Sequence, residues 1–265
     1  ADACPVPPPA PAIGAAAPAA PATPATPAAP AAPPPPAAEC LQKKLETVQS
    51  RDQIVAALKR PQRVFAVAPQ GELCALHREI GDKPYFVLEE RNLRYLLLSN
   101  RVDGATDKNP LADAIVHAEP KPIPTRPKGR IVFDGKIELL GWDLPAEIGR
   151  GDSFDIILYY KVLQPVGAAW KALMHFDGGS GRAGGADHEP INGRCSTATW
   201  QPGDFIIDRF TGVAGTSAYP AGKIEVWTGF FTGSMPSFRN MPVSEAPPDL
   251  RDPNDRVKIA TLVLD

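Results

Sequence analysis

The chain has 265 residues, 32 of them proline, and a formal net charge of -2 with lysine and arginine spread along its length. That scatter excludes a basic stripe for nucleic acid and a polybasic membrane patch. It also lacks a stretch composed like a transmembrane helix: the longest weakly polar segment, 10–38, is broken by proline every few residues and carries no Leu, Val or Phe.

Residues 1–39 are almost wholly alanine and proline, which predicts an extended, polyproline-II-like or disordered arm. Ala1-Asp2-Ala3 has the small-x-small shape of a signal-peptidase site directly before Cys4, although the charged Asp2 is wrong for lipidation. The four cysteines, Cys4, Cys40, Cys74 and Cys195, show no CxxC spacing, which argues against structural zinc and leaves three complete disulfide pairings. Cys4 with Cys40 is the first candidate, because the two bracket the Ala/Pro tract. The alternative places Cys74 and Cys195 in the core as small apolar side chains.

Residues 40–118 read as a small α/β domain. The run 39–60 has helical spacing in Leu41, Leu45, Val48, Ile54, Val55 and Leu58, with Ser50 and Gln53 as a capping box for its second part and Pro61 as its stop. A strand over 63–68, a helix over 71–80 closed by Gly81, and strands over 84–89 and 93–98 follow. His77 falls on the second helix and reads as a structural histidine.

Turn residues and four prolines, Pro120, Pro122, Pro124 and Pro127, mark a linker over 119–129. Beyond it, 130–265 carries strand patterns at 131–133, 136–142, 153–162, 170–176, 205–210, 223–231 and 257–264, separated by Gly and Pro turns. No helical pattern intervenes, so an antiparallel β-sandwich, immunoglobulin-like or jelly-roll-like, is predicted. In 153–162, Phe154, Ile156, Leu158, Tyr160 and Val162 alternate onto one face, which predicts the core side. The fold class is thus mainly β.

Between two of these strands lies a loop rich in Gly, Asp, His and Glu. His175, Asp177, Asp187, His188 and Glu189 are the metal-ligand candidates, since a divalent cation takes carboxylate and imidazole ligands and the glycines at 178–185 let the backbone fold tightly. Their spacing matches no dedicated ion loop. A structural reading has Asp187 or Asp208 capping turns and His188 contacting a backbone carbonyl. Among the tryptophans, Trp142, Trp170 and Trp227 lie in or beside strands and read as core, whereas Trp200, just before Pro202-Gly203, reads as exposed and able to stack on a sugar ring. Trp200, Asp187, His188, Glu189 and Arg194 are therefore the ligand-binding candidates. GxSxG, Walker and dinucleotide fingerprints are absent.

The segments GKIELLGWD (135–143), RGDSFDIILYYKVLQPV (150–166), MHFDG (174–178), DHEP (187–190), TWQPGDFIID (199–208) and GK to GFFTG (222–233) together resemble a known region. It is the C-terminal soluble β-sandwich of polytopic family-39 membrane glycosyltransferases of the dolichyl-phosphate-mannose type, myxobacterial ones especially. RVFAVAPQGELCAL (63–76), YLLLSNR (95–101) and KNPL (108–111) resemble the small α/β segment that precedes it there. In that family catalysis belongs to acidic residues of the membrane-embedded part, for which this chain has no counterpart.

The resemblance therefore implies a non-catalytic module with no cofactor of its own, a divalent cation being the one candidate. It implies a periplasmic or extracellular place, membrane-associated through a partner or an upstream region, and a glycan or envelope-protein partner. The alternatives are a scaffold subunit of an envelope complex held by its Ala/Pro arm and, behind it, a metal-dependent hydrolase that would gather His175, Asp187 and Glu189 around an open cavity. An exposed Trp beside the 177–194 loop would instead favour carbohydrate recognition.

Overall fold

The computed structural model describes residues 50–81, 84–90, 94–216, 218–234 and 236–265. The Ala/Pro arm, Cys4 with Cys40, and the first part of the expected helical stretch lie outside the described residues.

Helix α1 (Arg51–Leu58) starts directly after Ser50, carries Asp52 in its first turn where the helix dipole favours an acid, and buries Ile54, Val55, Ala57 and Leu58. Strand β1 (Phe65–Pro69) follows. After a 3₁₀ turn at Gln70–Glu72, helix α2 (Leu73–Ile80) buries Leu73, Cys74, Leu76 and Ile80. Gly81 closes it at φ 64°, a left-handed conformation that glycine adopts without a Cβ clash. Strands β2 (Phe86–Glu89) and β3 (Tyr95–Ser99) complete an antiparallel sheet in the order β1-β3-β2. Its inner residues Ala66, Ala68, Val87, Leu96 and Leu98 share a core with Leu58, Leu73 and Leu76 of the helices. The strand pattern read from the sequence thus survives with ends shifted by a residue or two, as terminal fraying allows.

The sandwich is built from β4 (Ile115–Val116), β5 (Val132–Phe133), β6 (Ile137–Asp143), β7 (Glu147–Ile148), β8 (Ser153–Val162), β9 (Lys171–Gly178), β10 (Gly181–Gly185), β11 (Phe205–Val213), β12 (Gly222–Thr232), β13 (Arg239–Asn240), β14 (Val243–Glu245) and β15 (Val257–Leu264). One sheet runs β14-β5-β6-β8-β11-β4. The other runs β10-β9-β12-β15-β7, with β13 added to β12. Pairing is antiparallel except for the two-residue contact of β7 with β15. On β8, Ile156, Leu158, Tyr160 and Val162 are buried and Phe154 is half-buried against the core, the alternation its sequence specifies. Each such side chain contributes on the order of 1.5–3 kcal/mol before conformational entropy is counted. Across the gap, Tyr160 and Phe133 each meet Phe230 with ring centroids 5.3 Å apart.

Residues 51–265 form one compact unit. Ile115–Val116 pairs with β11 and so joins the sandwich sheet. Arg78 of α2 forks onto the buried Asp204 at 2.7 and 3.3 Å, and a disulfide joins Cys74 of α2 to Cys195, 121 residues on, with Cα atoms 5.2 Å apart. Cys74 and Cys195 are therefore buried, as one sequence reading had them, but they are bonded to each other rather than standing as separate thiols.

Candidate functional site

The stretch after β10 runs antiparallel beside β9. Ala186 N–H donates to Met174 O at 2.8 Å, and Ala172 and His188 exchange backbone bonds of 2.8 and 3.1 Å. Continuing that register sets Glu189 across from Lys171, and their side chains approach to 3.6 Å. The ladder cannot continue, because Pro190 lacks an N–H and the chain turns away through Ile191 and Asn192, both left-handed at φ 56° and 51°. A β-branched residue in that region is strained and needs an anchor.

The anchor is Asp208. It stands on β11 with no exposed surface, accepts Ile191 N–H at 2.8 Å through one carboxylate oxygen and pairs with His188 Nε2 at 2.9 Å through the other. His188 Nδ1 is 2.7 Å from Ala186 O, and its ring lies over Phe210 at 3.8 Å. Burial disfavours the imidazolium, but the hydrogen bond and charge of Asp208 outweigh it, so the pKa of His188 is raised. The buried Asp208 carboxylate, bonded to His188 and to Ile191 N–H, thus fixes the loop that carries Glu189.

Beyond Pro190 the separation of loop and strand opens a cleft of about 260 Å³, lined by Trp170, Lys171, Glu189, Ser196, Thr232 and Gly233 among others. Its Trp170 edge is held firmly. Trp170 N–H donates to Thr197 Oγ1 at 2.7 Å, that hydroxyl donates to Ala168 O at 2.9 Å, and Thr232 Oγ1 donates to Ala169 O at 3.1 Å. The indole is half-buried, with the Arg239 guanidinium 5.4 Å from its ring centre. An apolar ring face beside a carboxylate and hydroxyl groups can stack on a pyranose and accept hydrogen bonds from its hydroxyls.

The sequence candidates divide. Glu189 lies on the cleft. Asp187 instead accepts Met174 N–H at 2.8 Å and approaches His175 at 3.5 Å; burial raises its pKa, but these bonds outweigh that effect and the net shift is downward. Arg194 reaches Gln70 at 2.6 Å and Glu90 at 3.4 Å, tying the loop to the α/β part. Trp200, expected to be exposed, has no exposed surface. It packs 6.3 Å from both Tyr160 and Phe230, and its indole N–H donates to Cys195 O at 3.3 Å. Trp170, which the alternation assigns to the core, packs partly against it and turns its remaining surface to the cleft. Its place at the first step of the strand, where one side opens onto the loop, was the available signal.

The five metal candidates do not converge on one point: His175, Asp177 and Asp187 share a network with Arg256, and His188 and Glu189 are engaged elsewhere. Asp177 is taken by Arg256 at 2.9 Å and by Arg182, with Arg256 also 3.2 Å from His175 and stacked 4.9 Å over Trp227. His188 is committed to Asp208, and Glu189 faces Lys171. Among the described residues no group of three or more His, Cys, Asp or Glu side chains is arranged to hold a metal ion, and none of their helices is long and apolar enough to cross a membrane. No family model and no curated protein matches this chain.

Proposed function

We propose that the chain is a non-catalytic extracytoplasmic binding module whose Trp170–Glu189 cleft takes a glycan. The observation that carries this reading is the partly buried Trp170 sharing a cleft with the loop residues Glu189, Pro190 and Gly193. Among the described residues lining that cleft, Glu189 is the sole carboxylate, whereas glycoside hydrolysis ordinarily uses two acids flanking the bond. The cleft volume suits a single sugar-sized group rather than a long chain. The Cys74–Cys195 disulfide supports an oxidising compartment, where such bonds persist. It agrees with the periplasmic or extracellular place that the resemblance to a membrane glycosyltransferase tail implies.

Screening the protein on a glycan array, then titrating the best ligand calorimetrically, tests the reading. Trp170→Ala should weaken binding by roughly 10- to 100-fold, the loss of about 1–3 kcal/mol expected for an aromatic stacking partner. Equal affinity in the wild type and Trp170→Ala, or no glycan bound at all, would refute it.

A further inference from the structure

Arg239 stands at the strand side of the cleft. In the register of β12 with β13 it pairs with Thr232, which lines the cleft, and its guanidinium carbon lies 5.4 Å from the centre of the Trp170 ring. Both chain neighbours are anchored. Phe238 stacks on Phe231 with ring centroids 5.2 Å apart, and the Asn240 side-chain amide donates to Asn254 O at 2.6 Å. The turn that leads into this segment is closed tightly: Gly233 is left-handed at φ 80°, and a Cβ there would run into Ser237 O.

The guanidinium itself is left without a polar partner. Arg78, Arg130, Arg194 and Arg256 each end on a carboxylate. Arg239 is exposed, meets the Trp170 indole, and has no hydrogen bond or ion pair to a described residue. Nor does the cleft supply a free carboxylate for it. Glu189, the one acid among the described lining residues, faces Lys171 at 3.6 Å, so that pair is neutral as a whole and Arg239 adds a positive charge in excess. An arginine set against an aromatic ring keeps the N–H groups at its rim available, and their planar fork matches a carboxylate.

We propose that the cleft selects an acidic sugar, a pyranose whose carboxylate is taken by Arg239 while its ring lies against Trp170. The proposal rests on the reading of the cleft as a glycan site and names the class of glycan. A neutral sugar would keep the contact with Trp170 and leave the guanidinium to water. A carboxylate without a ring would do the reverse, so only a sugar acid uses both groups.

NMR titration of the full chain with D-glucuronate and D-galacturonate, each beside its uncharged methyl ester, and with acetate as the ringless control, tests the proposal. At least one acid should bind about 5- to 10-fold more tightly than its ester, and more tightly than acetate. Arg239→Gln, a change at an exposed side chain, should bring the acid down to the affinity of its ester and leave the ester's affinity unchanged. Acids bound no better than their esters, or not at all while the glycan array shows another sugar held through Trp170, overturn the proposal alone. No glycan bound in either experiment overturns it together with the reading it rests on. A preference for the acid that survives in Arg239→Gln, or acetate bound as tightly as the acids, also overturns it.

Discussion

Trp170 and Trp200 stand at the two sides of one structure and do opposite things. Thr197, three residues before Trp200, holds the backbone of Trp170 through its hydroxyl, so both indoles depend on the same short segment. Trp200 is sealed between the sheets beside Tyr160 and Phe230, and Trp170, packed only partly against the core, borders the cleft. The same division runs through Asp187-His188-Glu189. The first two side chains turn back to bind Met174 N–H and Asp208, and the third faces the cleft. A polar run that resembles chemistry in sequence is mostly the fastening of a loop, and the exposed remainder is what can meet a ligand.

The contrast breaks most sharply on truncation of the two tryptophans. Trp200→Ala should cost about 3–5 kcal/mol, because it empties a fully buried ring site that the surrounding β-strands cannot collapse to fill. Trp170→Ala should cost far less while removing the stacking face. Urea unfolding of both variants checks this, and equal losses would show that Trp170 is a core residue after all.

A smaller loss is expected from Cys74→Ser with Cys195→Ser, roughly 2–4 kcal/mol, since the bond closes a loop of 121 residues in the unfolded chain. Because Cys195 lies between Arg194 and the Ser196-Thr197 pair that borders the cleft, the same variant should also loosen that border. Hydrogen exchange at 194–199 should rise more than at β8. Uniform protection across both would separate the disulfide from the cleft.

How much of this was legible beforehand depended on whether the determining contacts were local. β8 and β15 coincide with their expected limits at 153–162 and 257–264, because long alternating apolar runs report burial directly. β10 was invisible, since Gly-Arg-Ala-Gly-Gly has no apolar residue larger than alanine and is a strand only because β9 lies beside it. β4 and β7, at two residues each, are below any periodic signal. Trp200 was misjudged because the Pro202-Gly203 turn that follows it says where the backbone bends and nothing about where the indole points. Asp208 was noted as a turn cap, and it does hold Ile191 N–H, but its pairing with His188 spans two elements and has no spacing to reveal it. The Cys74–Cys195 bond is hidden for the same reason.

The buried fastening also carries a pH signature. His188 has a folded-state pKa raised above its ordinary value of 6.5: burial opposes its charge, and Asp208, by hydrogen bond and charge, prevails. The folded protein therefore holds this proton more tightly than the unfolded chain does. Its contribution to stability is fully present below pH 6.5 and is lost as pH rises through the raised folded-state value. His188→Gln keeps an amide in hydrogen-bonding reach of Asp208 but cannot titrate. The difference in unfolding free energy between wild type and His188→Gln, measured from about pH 5 to 9, should be greatest at the acid end and shrink toward the alkaline end. At the alkaline end the imidazole is neutral and its bond to Asp208 loses charge assistance, so residues 188–193 should loosen there while Trp200 stays sealed. A difference that is flat with pH would mean that folding leaves the pKa of His188 unchanged, and a difference that grows toward the alkaline end would mean that the folded protein holds His188 neutral.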